Sequence, residues 1–329
     1  MHTKTGKTAF FFFILFFFSS LFGSETQLLT HYRENGIKDI AKELDKELAN
    51  KDYWQSYLKD IDTSFGYFES YTDILTCDKS KSQLSFYKKD INSSYKLQEE
   101  YSAYTGKFKG DKKREGDLRT PVGIYTIVKK MTKVDPFYGP MAFVTSYPNL
   151  YDKYRGKTGQ GIWIHGLPTN QKRDKFTKGC IAINNTNMIC LNNMIDLKKT
   201  LLIIDEKKIE KNSVAKEEYA QILTDLFAWR YAWIYNKLED YLAYYAPEFK
   251  RFDGMNKERF SKYKKRIFNK NESKTIIFKD INIIPYPKSD NIFKIAFKEY
   301  YKSGSYSFEG NKILIVKLNK TNFQIITEQ

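Results

Sequence analysis

The sequence predicts a mixed fold: a mainly-β, β-sandwich-like domain preceded by a short helical segment and followed by an α+β cone. Three observations carry this prediction. Between residues 71 and 206, short runs rich in β-branched and aromatic residues recur between turn signals. Before them, Ile37, Ile40, Ala41, Leu44 and Leu48 recur at helical spacing in polar surroundings. After them, a long aromatic helical pattern leads into a block of strands.

Residues 1–24 read as a secretory signal. His2, Lys4 and Lys7 precede the apolar stretch Ala9 to Phe18, and Ser19-Ser20-Leu21-Phe22-Gly23-Ser24 follows. The apolar core is shorter than the ~20 residues a membrane helix needs. Leu21 and Phe22 make a poor cleavage site, so a retained N-terminal anchor is the alternative. Residues 25–70 are expected to form one or two amphipathic helices that pack on the β-rich body or pair with their copy in a second subunit. Strands follow at 74–77, 83–87, 95–104, 124–130, 142–146, 162–165, 180–183 and 201–204, with a helix at 187–197. The charged stretch 207–216 reads as a linker to the last domain, 217–329. That domain opens with a helix over 219–245 whose apolar residues cover much of its circumference and require burial on more than one side. A helix at 257–268 and strands at 275–284, 292–303, 304–308, 312–318 and 323–326 complete it. Trp229, Tyr231 and Tyr245 are candidates to line a pocket in the cone, with core packing as their plainer role.

The chain has 329 residues, 41% of them hydrophobic, which suits two or three packed domains. Its formal charge of +16, reduced by two if Lys4 and Lys7 leave with the signal, is of the kind that usually suggests nucleic acid. Export argues against that partner and favours a polyanionic surface outside the cytoplasm, although a lysine-rich composition explains the charge equally well. Three cysteines are an odd count for an exported chain and fit one free reactive thiol. Cys77 and Cys190 read as core filler, with a disulfide between them left open. Three histidines, one within the signal, give no zinc spacing, so neither metal nor cofactor is expected.

The reactive thiol is assigned by context. His165-Gly166 ends the apolar run Gly161-Ile162-Trp163-Ile164, and Thr177-Lys178-Gly179-Cys180 opens the run Ile181-Ala182-Ile183. His165 and Cys180 are therefore expected at the ends of neighbouring strands. A thiol of pKa near ~8.5 is only a few per cent thiolate at neutral pH, and a neighbouring imidazole raises that fraction. Gly179 lets the backbone turn so that the Gly179 and Cys180 N–H groups can point at a developing oxyanion. Strand alternation places Trp163 on the His165 side and Ala182 on the Cys180 side. Upstream, Thr120-Pro121-Val122-Gly123 makes a rigid turn with room for close packing before a strand.

Thr-Pro-x-Gly, then His-Gly, then Thr-Lys-Gly-Cys, with Tyr147-Pro148-Asn149 and Asp152 between the first two, resembles the L,D-transpeptidase (YkuD-like) family over roughly residues 70–206. The resemblance implies Cys180 as nucleophile, His165 as base and the Gly166 carbonyl as the group that orients the imidazole. It also implies a peptidoglycan substrate whose stems contain meso-diaminopimelate. Trp163, Tyr147, Lys178, Arg155 and Arg173 are candidate substrate contacts, and no nucleic-acid partner is expected. Where most members carry arginine two residues after the cysteine, this chain has Ala182, which leaves Lys178, Arg173 or Arg155 to supply a cation. The run Trp229-Arg230, Trp233, Tyr241-Leu242, Tyr244-Tyr245 and Phe249 is similar to nuclear transport factor 2-like domains. With that module the chain most resembles the cell-shape L,D-carboxypeptidase branch, which implies a homodimer through the N-terminal helices. The expected activity is periplasmic L,D-carboxypeptidase. Transpeptidation, or a non-catalytic wall-binding scaffold, are the alternatives.

Overall fold

The computed structural model describes residues 26–171 and 174–329, so the expected signal at 1–24 and the candidate Arg173 lie outside the described residues. No helix among the described residues is long and apolar enough to cross a membrane. Helix α1 runs over 26–35, and α2 (Ile37–Glu47), α3 (Lys51–Tyr57) and the two-residue strand β1 (Tyr67–Phe68) follow. The central domain comprises β2 (Asp73–Asp78), β3 (Gln83–Lys89), β4 (Tyr95–Tyr104), β5 (Gly123–Met131), β6 (Ala142–Thr145), α4 (Leu150–Tyr154), β7 (Trp163–His165), β8 (Ile181–Ile183), α5 (Asn185–Met194) and β9 (Thr200–Asp205). The remainder is α6 (Lys216–Ile234), α7 (Leu238–Ala243), α8 (Lys257–Phe268), β10 (Thr275–Pro285), β11 (Ile292–Lys302), β12 (Ser307–Leu318) and β13 (Phe323–Glu328).

The sandwich-like packing expected of the central strands closes on itself as a barrel, in the order β2-β3-β4-β8-β7-β6-β5-β9. Closure comes from the parallel pairing of β2 with β9, and a second parallel pair joins β7 to β8. Leu75, Phe86, Tyr125, Phe143, Ile164, Ile181, Leu202 and Ile204 fill the interior. Their neighbours Ile74, Ile124, Leu201 and Ile203 face outward, yet are buried with Ile284, Ile315 and Ile326 of the C-terminal sheet. Burial on both faces explains why Leu201 to Ile204 is an unbroken apolar run instead of an alternating one.

The C-terminal sheet has the order β1-β10-β11-β12-β13. One face covers the barrel and the other packs on α6, α7 and α8. Its first edge strand is contributed from ahead of the barrel, with Tyr67 opposite Ile283. The N-terminal helices, expected on the β-rich body, pack instead on α6. Trp54 stacks on Phe227 at 5.1 Å, Arg230 pairs with Asp45 at 2.6 Å, and Lys216 Nζ donates to the Leu58 carbonyl at 3.0 Å. The cause is legible in α6, whose apolar residues surround it: sheet residues bury one side, and Trp54 and Leu58 bury another. The single helix expected over 219–245 breaks because Asn236 adopts φ 56°, a left-handed conformation that asparagine tolerates. Trp229 and Tyr245 are fully buried in the core, and Tyr231 lies against the Tyr235 ring at 4.5 Å, so packing is the observed role of all three.

Candidate active site

The parallel pairing of β7 and β8 sets Ile164 opposite Ile181 and His165 opposite Ala182. Both isoleucines point into the barrel core, so His165 and Ala182 stand side by side on its outer surface. His165 is buried, Cys180 is half-buried, and both line a cleft of about 480 Å³ with Phe137, Tyr138, Gln171, Asp174, Phe176, Thr177 and Lys178.

The imidazole is oriented by backbone. His165 Nδ1 lies 2.6 Å from the Gly166 carbonyl oxygen. A carbonyl only accepts, so Nδ1 carries the proton of the neutral ring and Nε2 is its basic nitrogen. Gly166 is itself held on both sides. Its N–H donates to the Tyr138 carbonyl at 2.9 Å, and the next N–H, that of Leu167, donates to Asn185 Oδ1 at 2.7 Å. A Cβ on Gly166 would sit 2.3 Å from that Asn185 oxygen, so only glycine fits. The Tyr138 ring meets His165 edge to face at 5.0 Å and touches Trp163 at 5.0 Å, so the expected aromatic wall reaches the histidine through Tyr138.

The cysteine turn is equally constrained. Gly179 has φ 137°, and a Cβ there would meet the Arg119 carbonyl at 2.9 Å. Thr177 Oγ1 donates to the Cys180 carbonyl at 2.7 Å and accepts the Gly179 N–H at 2.9 Å. One of the two expected oxyanion donors is therefore already engaged. Thr177 N–H donates to the Thr105 carbonyl at 2.7 Å, and Gly106 N–H donates to Thr120 Oγ1 at 2.8 Å. The Thr-Pro-x-Gly element thus braces the loop that carries Cys180. Cys180 Sγ approaches the Gly161 carbonyl at 3.4 Å. Cys77 contrasts with it, being fully buried in the barrel, where burial pushes its thiol up to about 12. Cys190 is free and exposed.

Of the candidate substrate contacts, Lys178 lines the cleft and Trp163 borders it through Tyr138. Tyr147 and Arg155 do not line it. Tyr147 is buried, with its hydroxyl donating to the Thr158 carbonyl at 2.9 Å. Arg155 pairs with Asp152 at 3.1 Å and Asp111 at 3.6 Å, and its guanidinium lies over Tyr151 at 4.4 Å. The physical reason is local: Asn149 and Asp152 form a reciprocal cap at the start of α4, and the Tyr-Pro-Asn…Asp run builds that corner. Sequence reasoning missed Phe137, Tyr138, Gln171, Asp174, Phe176 and Asn185. Only Asn185 left a signal, as a helix-start asparagine five residues beyond the cysteine.

A barrel carrying this His-Gly and Gly-Cys pair, joined to a helix-backed curved sheet, defines a class. The chain belongs to the YkuD L,D-transpeptidase family: the L,D-transpeptidase catalytic domain model matches residues 72–204, and the Cds6 C-terminal NTF2-like domain model matches residues 221–329. It is similar to the helical cell shape determining protein Pgp2 from Campylobacter jejuni, with 41% identity and a TM-score of 0.78, covering 86% of this chain and 100% of that one. It is also similar to Bd1075 of Bdellovibrio bacteriovorus, at 25% identity and a TM-score of 0.64, covering 82% and 97%. YafK of Escherichia coli K12, whose name assigns it provisionally to the L,D-transpeptidases, is 32% identical over 109 residues. That match covers 32% of this chain and 40% of YafK.

Proposed function

We propose that this chain is an exported, periplasmic cysteine L,D-carboxypeptidase that trims the terminal D-alanine from tetrapeptide stems of peptidoglycan, leaving tripeptides. The observation that carries this reading is one cleft shared by Cys180 and a His165 whose Nδ1 is held by the Gly166 carbonyl. His165 Nε2 takes the thiol proton, and the thiolate adds to the carbonyl of the L-centre of meso-diaminopimelate. The resulting oxyanion is held by the Cys180 N–H, joined by that of Gly179 once it leaves Thr177 Oγ1. Collapse breaks the C–N bond, and the imidazolium protonates the departing D-alanine amine. Water, deprotonated by the same imidazole, then cleaves the thioester and restores the thiol.

Hydrolysis is favoured over transfer by Ala182, which is fully buried beside His165 and offers no donor to an acceptor stem. Losing one charge-assisted bond weakens acceptor binding by ~1.5–3 kcal/mol, roughly ten- to a hundredfold. Water needs no such clamp. Lys178, a cation lining the cleft, favours the transpeptidase reading. Incubation with tetrapeptide muropeptides, followed by mass analysis, should give tripeptides; crosslinked dimers as the main product would replace hydrolysis with transfer. By extension from Pgp2, the reading includes a role in cell shape. It also includes a homodimer through the N-terminal helices, which expose Leu28, Leu29, Ile37 and Leu44.

A further inference from the structure

Tyr286 opens the turn between β10 and β11, where its N–H donates to the Ile292 carbonyl at 2.8 Å. Its side chain leaves the C-terminal sheet and ends against the barrel. The residue is 3% exposed, its ring meets Tyr151 of α4 edge to face at 4.7 Å, and the Arg155 guanidinium lies 5.4 Å away. Burial raises its pKa far above that of a free tyrosine, so the hydroxyl is neutral at any working pH. That hydroxyl accepts a hydrogen bond from Asn149 Nδ2 at 2.9 Å. A Cβ on Gly123 would lie 2.7 Å from it, so the glycine of the Thr-Pro-x-Gly element is what admits the hydroxyl.

From Asn149 the contacts run to Cys180 by two routes. Nδ2 also donates to the Ile124 carbonyl at 2.9 Å, and the reciprocal cap of α4 fixes Asp152. Asp152 accepts the Tyr125 hydroxyl at 3.0 Å and pairs with Lys157 at 2.8 Å. On the first route Lys157 reaches Asp111 at 2.7 Å, and Asp111 accepts the Val122 N–H at 2.7 Å. Val122 belongs to the element whose Thr120 braces the cysteine loop. On the second, Lys157 begins the stretch that ends at Gly161, whose carbonyl lies 3.4 Å from Cys180 Sγ. Tyr147 holds the middle of that stretch through the Thr158 carbonyl at 2.9 Å. Asp152 and Lys157 are buried, where leaving a charge-assisted bond unmade carries a full desolvation penalty.

We propose that Tyr286 is a positioning residue for the nucleophile: through Asn149 it fixes the α4 corner, and the corner fixes where Gly161 and the Thr120–Gly123 element stand around Cys180. This rests on the reading of Cys180 as nucleophile. Tyr286 lies outside the cleft, so the C-terminal domain aligns the reacting sulfur from a distance. A misplacement of ~1 Å at a reacting atom costs up to about a hundredfold in rate. Loss of one hydroxyl shifts the corner by less, and the expected cost is correspondingly smaller.

The test uses the full chain carrying Cys77→Ala and Cys190→Ala, which leaves Cys180 as its one thiol. Tyr286→Phe keeps the ring and removes the hydroxyl. It should lower kcat on tetrapeptide muropeptides by about five- to tenfold, leave KM within about twofold, and displace the midpoint of Cys180 alkylation against pH by roughly half a unit. Asn149→Ser keeps a good N-cap but loses the Nδ2 donor, and should do at least as much. Adding Tyr286→Phe to Asn149→Ser should cost less than about twofold more, because the two act through one bond. Tyr151→Phe removes a neighbouring hydroxyl that bonds no described residue, and should change neither readout. A Tyr286→Phe variant with a lower Tm but unchanged kcat and alkylation profile reduces Tyr286 to packing and overturns the proposal. A loss that adds in full to that of Asn149→Ser overturns it too. Should Tyr286→Phe fail to fold, Asn149→Ser decides, and unchanged kcat and alkylation there have the same force. Inability of the parent chain to turn over any muropeptide counts against the enzymatic reading, while the alkylation profile needs no substrate and still decides the role of Tyr286.

Discussion

Cys180→Ala should abolish turnover of muropeptides and leave the circular dichroism spectrum intact, whereas Cys77→Ala, buried in the barrel, should retain activity. Activity surviving in the first variant and lost in the second would reassign the nucleophile. The orientation of His165 gives a finer prediction. Asn185 holds the peptide that presents the Gly166 carbonyl to Nδ1. Asn185→Ala should lower kcat more than tenfold, with KM within about threefold, and should displace the pH profile of Cys180 alkylation by iodoacetamide. An unmoved alkylation profile would reduce Asn185 to a packing role. That His165 and Cys180 come together in one cleft was legible in the sequence because a glycine beside each marks a backbone constraint. Tyr138 could not, since it reaches the histidine across space from a turn with no periodicity. Tyr147 and Arg155 lie outside the cleft for a related reason: residues that build a tight helix start look much like residues that bind a ligand.

At the level of elements, helices and strands were legible wherever burial was one-sided. The all-round apolar α6 announced a second partner without naming it. That partner is the N-terminal segment, so a fragment beginning near Lys211 lacks Trp54, Leu58 and strand β1. Such a fragment should show no cooperative melt, and a peptide spanning 37–70 should restore one in trans. Trp54→Ala should destabilise the full chain by about 3–5 kcal/mol in chemical denaturation. α6 also carries a pH effect. Burial pushes Asp225 up to about 6, outweighing its bonds from the Phe323 N–H and Gln221. Because the folded pKa lies above the unfolded value, the folded state holds this proton more tightly. The stabilisation is complete below about pH 4 and is lost as pH rises through about 6, a change of about 3 kcal/mol. Asp225→Asn should therefore raise Tm at pH 7.5 relative to the parent and lose that advantage at pH 4; an equal gain at both would exclude a titration effect.

For the whole molecule, the exposed apolar row on α1 and α2 predicts association. Sedimentation should report a dimer, and Leu29→Glu with Leu44→Glu should return a monomer. A monomeric parent would exclude pairing through these helices. The barrel order was not legible, because the parallel pairs β2 with β9 and β7 with β8 join segments whose local sequence says nothing of partner or direction.

The sheet that begins at Tyr67 and ends at Glu328 has a consequence for biosynthesis. Its first strand is made roughly 200 residues before its neighbour β10, which at ~5–20 residues per second is a wait of roughly 10–40 s. Throughout that interval Trp54, Tyr67 and the outward-facing isoleucines of the barrel lack their covering layer. The chain therefore cannot lock prematurely into its final form. If the chain is exported unfolded, as the proposed periplasmic role requires, late closure of this sheet would keep it competent for translocation.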